Sequence, residues 1–600
     1  CNWSKMAANT RCVDLRVNQT LLDPNFEGYK LSLDPLPVYK VNLDSCLDEV
    51  QLTDDQYSFQ HIKAFGLHNY LTLDVYQNNV VYCIDNSWKV VRIDTEKENE
   101  IDKPVNVLEI PEAANRRLAP GRLAASLHFS SQNLAVLSDG AGTCYIISTG
   151  DRKEAGEWKI LHSESPLGEN VFFTLKQSCF VKENDKCLLH VLLLHINKSD
   201  SEEAEDRKSS SFQTALEWIT FTSADQITWK LERTRRLVGN SCPDYMCFDK
   251  SGKSLLLSSQ KPFTFEFDSV VPVVKESKSE ESNGKDMHGP SYVWYQEEED
   301  VTVQFKVPQE AKKQDIEFKL TAQTLDVGLK GENSLLTGVL ENNVDVSAST
   351  WTIQNERLEV VLSKASEGRW TCVVKGDERG EMVVDPKTAA EVHERLAPYT
   401  SENWNSNAMD SMKAYNSQQL EECDAFPDDT AVMLRFDGET HQVTHQVNVG
   451  SHQWLFNCQV SADNPPCVCL RHDVDGVLWQ PKENVPENES PWDHVATFHA
   501  LGYVQASKTQ RKFGGCAPDF NYACIIDSVR HAYIYRQPSQ ISSPLRNRKT
   551  GREVRAVSKQ QVITLESVEN ILGFQCTNDR IYLIAGRVLY VAKVNESAVE

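Results

Sequence analysis

Nothing in this sequence spells out a reaction. It has no glycine-rich phosphate loop, no dinucleotide fingerprint, no G-x-S-x-G elbow and no H-E-x-x-H pair, so the commonest nucleotide, hydrolase and metallopeptidase chemistries have no anchor in it. It has no C-x-x-C pair and no Cys/His set at zinc-finger spacing, although cysteine itself is plentiful at 17 residues. An odd number of cysteines without a framework reads as free thiols in a reducing compartment. The longest apolar run, Cys187–Ile196, carries His190 and His195 and is too short to span a membrane. No basic block offsets a formal net charge of −24. Phosphate backbones repel such a chain, so direct nucleic-acid binding through a broad basic face is not expected. The N-terminus lacks a basic-then-apolar secretory signal, which makes the sequons at Asn2, Asn18, Asn197, Asn488 and Asn595 chance matches. Met6-Ala7-Ala8 reads as a more natural start than Cys1, with Cys1–Lys5 an extension ahead of it.

What is present is β-structure. At 600 residues the chain is too long for one core, and at 40% hydrophobic and 25% charged residues it is ordinary globular protein. A unit of three short strands on tight turns recurs: Leu71–Asp94, Ala124–Thr149, Tyr245–Phe267 and Leu572–Val594. One such unit cannot bury both faces, but stacked radially the units make a β-propeller. Leu188–Leu194 and Ala215–Phe221 leave room for more blades, and the strand rhythm resumes from Val432 to Tyr535. Neither half closes a fold alone. The expectation is one propeller of about seven blades, built from residues 21–274 and 425–600, with its first and last units adjacent; the alternative is two separate β domains. Residues 1–20 read as a disordered extension. Ser199–Ser211 reads as a solvated loop and 275–288 as a linker. Pro386–Leu396, capped by Asp385, reads as a helix within a linker of residues 376–424, followed by a polar stretch at Ser401–Gln419.

Residues 289–375 form a different object. Val301-Thr-Val303-Gln-Phe305-Lys-Val307 alternates apolar and polar residues, and the alternation returns in Ile316–Leu320, Leu325–Leu329, Leu336–Leu340, Trp351–Ile353 and Leu358–Leu362. Period two buries one face of each strand, which predicts a small antiparallel β-sandwich inserted into the propeller. Tyr292-x-Trp294-x-Gln296, Val301–Pro308, Gly338-x-Leu340, Ser349-Thr-Trp351-x-Ile353, Leu358–Lys364 and Trp370 resemble, in order and spacing, the CS domain of NudC-type and small-cochaperone proteins. Leu21–Leu33, Cys469–Asp475, Leu478–Pro481, Ala500–Lys508 and Ile534–Pro538 extend a resemblance to NudC-like proteins over the whole chain.

The resemblance implies a non-enzymatic cochaperone or adaptor. Its partners would be client proteins and heat-shock protein 90-type machinery, and its place the cytoplasm, with the nucleus as an addition. A monomer is expected, with no cofactor, metal or membrane. The candidate contact face is Trp294, Gln296, Trp351, Lys364 and Trp370, because aromatic and long cationic side chains anchor protein contacts; the plainer role for the tryptophans is core packing. Gln296 and Lys364 are expected at the surface, adding little to stability. The acidic run Glu297–Asp300 reads as a solvated turn that could orient a basic partner. Of the remaining polar clusters, His472-Asp473-x-Asp475 is the most metal-like, but adjacent strand residues face opposite ways, so a turn using Asp for its own backbone is the plainer reading. His441, His445 and His452 read as surface or hydrogen-bonded histidines and not as a triad, with no nucleophile spaced to go with them, and Cys467-x-Cys469 reads as core. Two competing functions stay open: a scaffold whose propeller holds one dedicated partner, and a hydrolase in the propeller channel around His472.

Overall fold

The computed structural model describes residues 11–595 apart from 14, 25, 78, 97–102, 112–115, 169–170, 199–211, 274–291, 297–298, 308–312, 331–333, 355–356, 367, 369, 371, 376, 378–379, 383–430, 451, 484–489, 509, 547–550, 552 and 568. The loop, the linker, the helix and the polar stretch expected at Ser199–Ser211, 275–288, Pro386–Leu396 and Ser401–Gln419 lie, wholly or nearly so, outside the described residues. Two units form: Cys1–Lys275 with Asn416–Glu600, and Glu276–Tyr415.

In the first unit the strands assemble into seven sheets of four to six strands. In chain order the blades begin at Thr72, Ser126, Thr174, Tyr245, Trp454, Arg511 and Ile571. The ring is read from its cores. A separate apolar cluster joins each blade to the next, and the last joins blade 7 (Tyr582, Ile584, Leu589) to blade 1 (Val81, Val91, Ile93). Blade 7 takes its outer strand from the start of the chain, since Val38–Asn42 pairs antiparallel with Val588–Ala592. Second strands such as Val80–Ile84, Leu134–Ser138 and Tyr522–Asp527 are buried at every position. A blade interior is covered on both faces, which is why these strands are apolar runs and not alternations. The hairpins share a device: Asp85, Asp139, Asp249, Asp437 and Asp527 each turn a carboxylate oxygen back to accept from backbone N–H groups two to five residues on.

Several expectations need correction. Tyr245–Phe267 is not a three-stranded unit. Phe263–Asp268 pairs with Arg235–Gly239 and becomes the fifth strand of blade 3. Ser254–Ser259 pairs instead with Val432–Asp437, from beyond the insertion. Blade 4 is thus split by residues 276–415. Local alternation buries Phe263 and Phe265 correctly, but it does not say which blade supplies the partner edge. The segments at Leu188–Leu194 and Ala215–Phe221 belong to one blade of long strands, Thr174–Glu183 through Lys230–Gly239, and not to several. Part of the N-terminal extension is ordered. Arg11–Cys12 pairs parallel with His445–Gln446, adding an edge strand to blade 4, because an open edge offers unpaired backbone groups.

The second unit is a sandwich. Its five-stranded sheet runs Val344–Gln354, Arg357–Lys364, Asp300–Lys306, Tyr292–Gln296, Gly380–Met382, and its second sheet has Ile316–Leu320, Thr324–Leu329 and Ser334–Val339. Val301, Val303, Phe305, Leu358, Val360 and Leu362 all point into one core, as period two requires. The expected boundary at residue 375 falls short, because Gly380–Met382 pairs parallel with Tyr292–Trp294.

Candidate functional site

The five candidate contact residues do not make one open face. Trp294 and Trp370 are core residues, 2% and 1% exposed. Trp351 is half-buried against the same core, its ring 6.1 Å from that of Phe318. Gln296 ends the strand Tyr292–Gln296 and is used inward. Its Nε2 donates to the Trp370 carbonyl at 2.7 Å, and its Oε1 accepts from the Trp370 backbone N–H at 2.8 Å. The amide thus clamps both backbone groups of a residue in a non-strand segment, where no ladder would satisfy them. Lys364 completes the clamp. Its Nζ donates to Gln296 Oε1 at 3.1 Å and to the Gly368 carbonyl at 3.0 Å. Desolvation holds the Lys364 ammonium below the usual lysine value, with Asp300 opposing. The expectation that Gln296 and Lys364 are dispensable surface groups is therefore overturned: both hold the Trp370 segment on the sandwich.

The strand alternation could not reveal this, because Gln296 has the ordinary look of a strand-end polar residue and its partner lies 74 residues away. What the alternation missed on the surface is apolar. Val339 and Val346 are 50% and 44% exposed, on strands at the edges of the two sheets. A register shift between Asp345 and Thr350 breaks the period that would have buried or exposed Val346 predictably.

The other polar candidates fall apart spatially. His472 stacks on His452, with Nδ1 3.4 Å from the other ring's Nε2. Burial and the neighbouring His472 lower the His452 pKa to about 4. Asp473, at φ +53°, turns the chain between the paired residues His472 and Asp475, and Asp475 accepts from the Ala500 N–H at 2.6 Å. His441 bonds Asp268 at 2.6 Å, and His445 bonds Thr444 at 3.0 Å. Cys467 and Cys469 lie in the core between blades 5 and 6, and burial raises both thiol pKa values. Among the described residues no three His, Cys, Asp or Glu side chains gather as metal ligands, and no helix is long and apolar enough to cross a membrane.

A seven-bladed propeller whose chain is interrupted within blade 4 by the residues of a small two-sheet sandwich defines the class: a β-propeller protein with a CS domain, whose family profile matches residues 290–364. Over nearly its full length the chain is similar to NudC domain-containing protein 1 of Mus musculus, 41% identical over 97% of this chain and 98% of that protein. The Xenopus tropicalis protein of the same name is 40% identical over 97% and 99%. The chain belongs to the NudC domain-containing protein 1 family. Among solved structures, the Cps50 β-propeller domain of Myceliophteria thermophila matches 88% of this chain and 96% of its own at 6% identity and a TM-score of 0.34; the blade count rests on the strand pairing above.

Proposed function

We propose that the protein is a non-enzymatic adaptor that binds client proteins and links them to heat-shock protein 90-type chaperone machinery through its CS domain. The observation that carries this reading is the CS sandwich itself, a compact unit with its own core, inserted in the sequence of a propeller that completes its ring from both sides of the insertion. Two rigid β units with variable loops suit binding, not turnover. The same reading takes the protein as a cytoplasmic monomer with an additional nuclear fraction, without cofactor or metal. Affinity purification of the intact protein beside a form lacking residues 276–415 tests it. Loss of chaperone components with retention of the propeller's own partners supports the adaptor. An unchanged partner set refutes it.

A second reading, a scaffold whose propeller holds one dedicated partner, has its own observation. The short helix Phe59–Phe65 of the propeller unit leaves Phe59 and Ile62 exposed, beside Tyr57 and Leu67. Exposed apolar clusters of this kind mark contact surfaces. One partner at equal amounts in the purification, surviving removal of 276–415, would favour it.

A further inference from the structure

The centre of the propeller holds a cavity of about 350 Å³, lined by inner-strand residues of several blades. Its polar lining includes a lysine and two histidines. Lys176, on the first strand of blade 3, donates to the Ala64 carbonyl at 3.3 Å, and no carboxylate pairs with it among the described residues. Its ammonium is desolvated, with its pKa drawn below the usual lysine value. His128, on the first strand of blade 2, accepts from the Ser178 backbone N–H through Nδ1 at 3.2 Å. A neutral imidazole that accepts at Nδ1 carries its proton on Nε2, so His128 presents an N–H donor. Burial lowers its pKa to about 4, which keeps that neutral form at physiological pH.

His68 lines the same cavity; burial lowers its pKa, and the nearby cations Lys176 and Lys512 add to that effect. Lys512 donates to the Ile571 carbonyl at 2.8 Å and is likewise partly desolvated. The acidic member of the lining is Asp48, and it is consumed. Arg122 takes its carboxylate from both guanidinium ends at 2.6 and 2.9 Å, and Trp88 Nε1 donates to it at 3.2 Å. A chain of net charge −24 therefore keeps at this cavity one lysine, Lys176, that no carboxylate pairs with among the described residues, while Lys512 lies outside the lining and feels Glu49. A desolvated ammonium is costly unless an opposite charge meets it.

We propose that this cavity is an oxyanion site that takes a phosphate group, held by Lys176 and the His128 Nε2–H with Lys512 adding charge from the side. A dianion with several acceptor oxygens matches donors that converge from different blades. The phosphate could be free or carried on a peptide, and this site stands apart from the CS-domain reading above.

The test is calorimetric titration of the full-length protein with inorganic phosphate at constant ionic strength, with chloride as control and a phosphoserine peptide in parallel. Saturable 1:1 binding of phosphate is expected, with a rise in Tm. Lys176→Met should weaken it about tenfold or more, yet melt no lower than the parent without phosphate, since it removes an uncompensated charge. Lys512→Gln, at a less buried position, gives a second variant that should weaken binding if Lys176→Met fails to fold. Tighter binding of the peptide assigns the phosphate to a phosphorylated partner, and equal or weaker binding assigns it to a free small molecule. No saturable phosphate binding, or binding unchanged in both variants, overturns the proposal.

Discussion

At the scale of single residues, side chains that look interchangeable in the sequence do very different things. Gln296 is the sharpest case. Its amide makes two bonds to the Trp370 backbone and accepts one from Lys364. Gln296→Ala leaves a buried N–H and C=O without partners, and each such group costs about 1–3 kcal/mol. The expected result is a CS unit destabilised by about 2 kcal/mol or more, seen as faster hydrogen exchange across Tyr292–Gln296 and Arg357–Lys364. Exchange unchanged from the parent would mean that the clamp is incidental. Trp351→Ala should cost less than a full core truncation, because Trp351 is only partly buried. His190 gives a pH prediction. It is 5% exposed, bonded to Thr220 Oγ1 at 3.1 Å, and burial lowers its pKa to about 4 from an ordinary 6.5. Between those values the unfolded chain binds a proton that the folded chain refuses, so stability falls as pH drops from about 6.5 towards about 4. The loss from this site is at most about 3 kcal/mol. His190→Gln should flatten that part of the curve of denaturant midpoint against pH; an identical slope would show that His190 titrates normally.

At the scale of elements, the sequence told the nature of the strands better than their partners. Period two in Val301–Phe305 and in Leu358–Leu362 placed the sandwich core correctly, because alternation is a property of one strand and its two faces. Blade 4 was not legible for the opposite reason. Its inner pair, Tyr245–Phe248 and Ser254–Ser259, is completed by Val432–Asp437 and Val443–Asn448, and no local pattern records a pairing across more than 170 residues. For Trp294 and Trp370 the sequence leaves two roles, anchor or core, with core the plainer, and the structure seals both in the core. The seam of the insertion is fastened by charge. Arg233 of blade 3 bonds Asp268 through Nε and Nη2 (2.6 Å for the latter), and reaches Glu439 at 2.7 Å on the returning hairpin. His441 adds a 2.6 Å bond to Asp268, and the Arg235 guanidinium lies 4.4 Å over the Trp218 ring. These bonds hold the Asp268 carboxyl below the usual range. Breaking a buried pair from one side strands the other charge, at about 3–5 kcal/mol. Arg233→Ala should lower propeller stability by that order in chemical denaturation. A change under about 1 kcal/mol, the size of an exposed pair, would show that water already replaces the contact.

At the scale of the whole molecule, closure of the ring is a joint property of the two chain halves. Residues 1–286 contain blades 1 to 3, three strands of blade 4 (Arg11–Cys12 among them), the edge strand Tyr29–Leu31 of blade 6 and the outer strand of blade 7, while residues 425–600 hold the other described strands of the ring. Either half alone exposes the apolar faces that the shared cores of blades 3 and 4, blades 4 and 5, and blades 7 and 1 would cover. Open sheet edges and bare apolar faces invite aggregation, so residues 1–286 expressed alone should aggregate and co-expression with 425–600 should rescue them. A monomeric 1–286 that melts cooperatively would contradict a shared ring. The converse follows for the insertion. Every strand of the CS sandwich pairs with another strand of the sandwich, and every described strand of blade 4 lies outside residues 276–415. Replacing 276–415 by a short Gly/Ser linker removes a complete set of sheets and leaves no ladder half-made. The price is a loop closure whose entropy changes only slowly with loop length. The excised protein should therefore keep the propeller's melting transition within a few degrees while losing the transition of the sandwich. Differential scanning calorimetry of both forms reads this directly, and collapse of the propeller transition on excision would show that the two units stabilise each other.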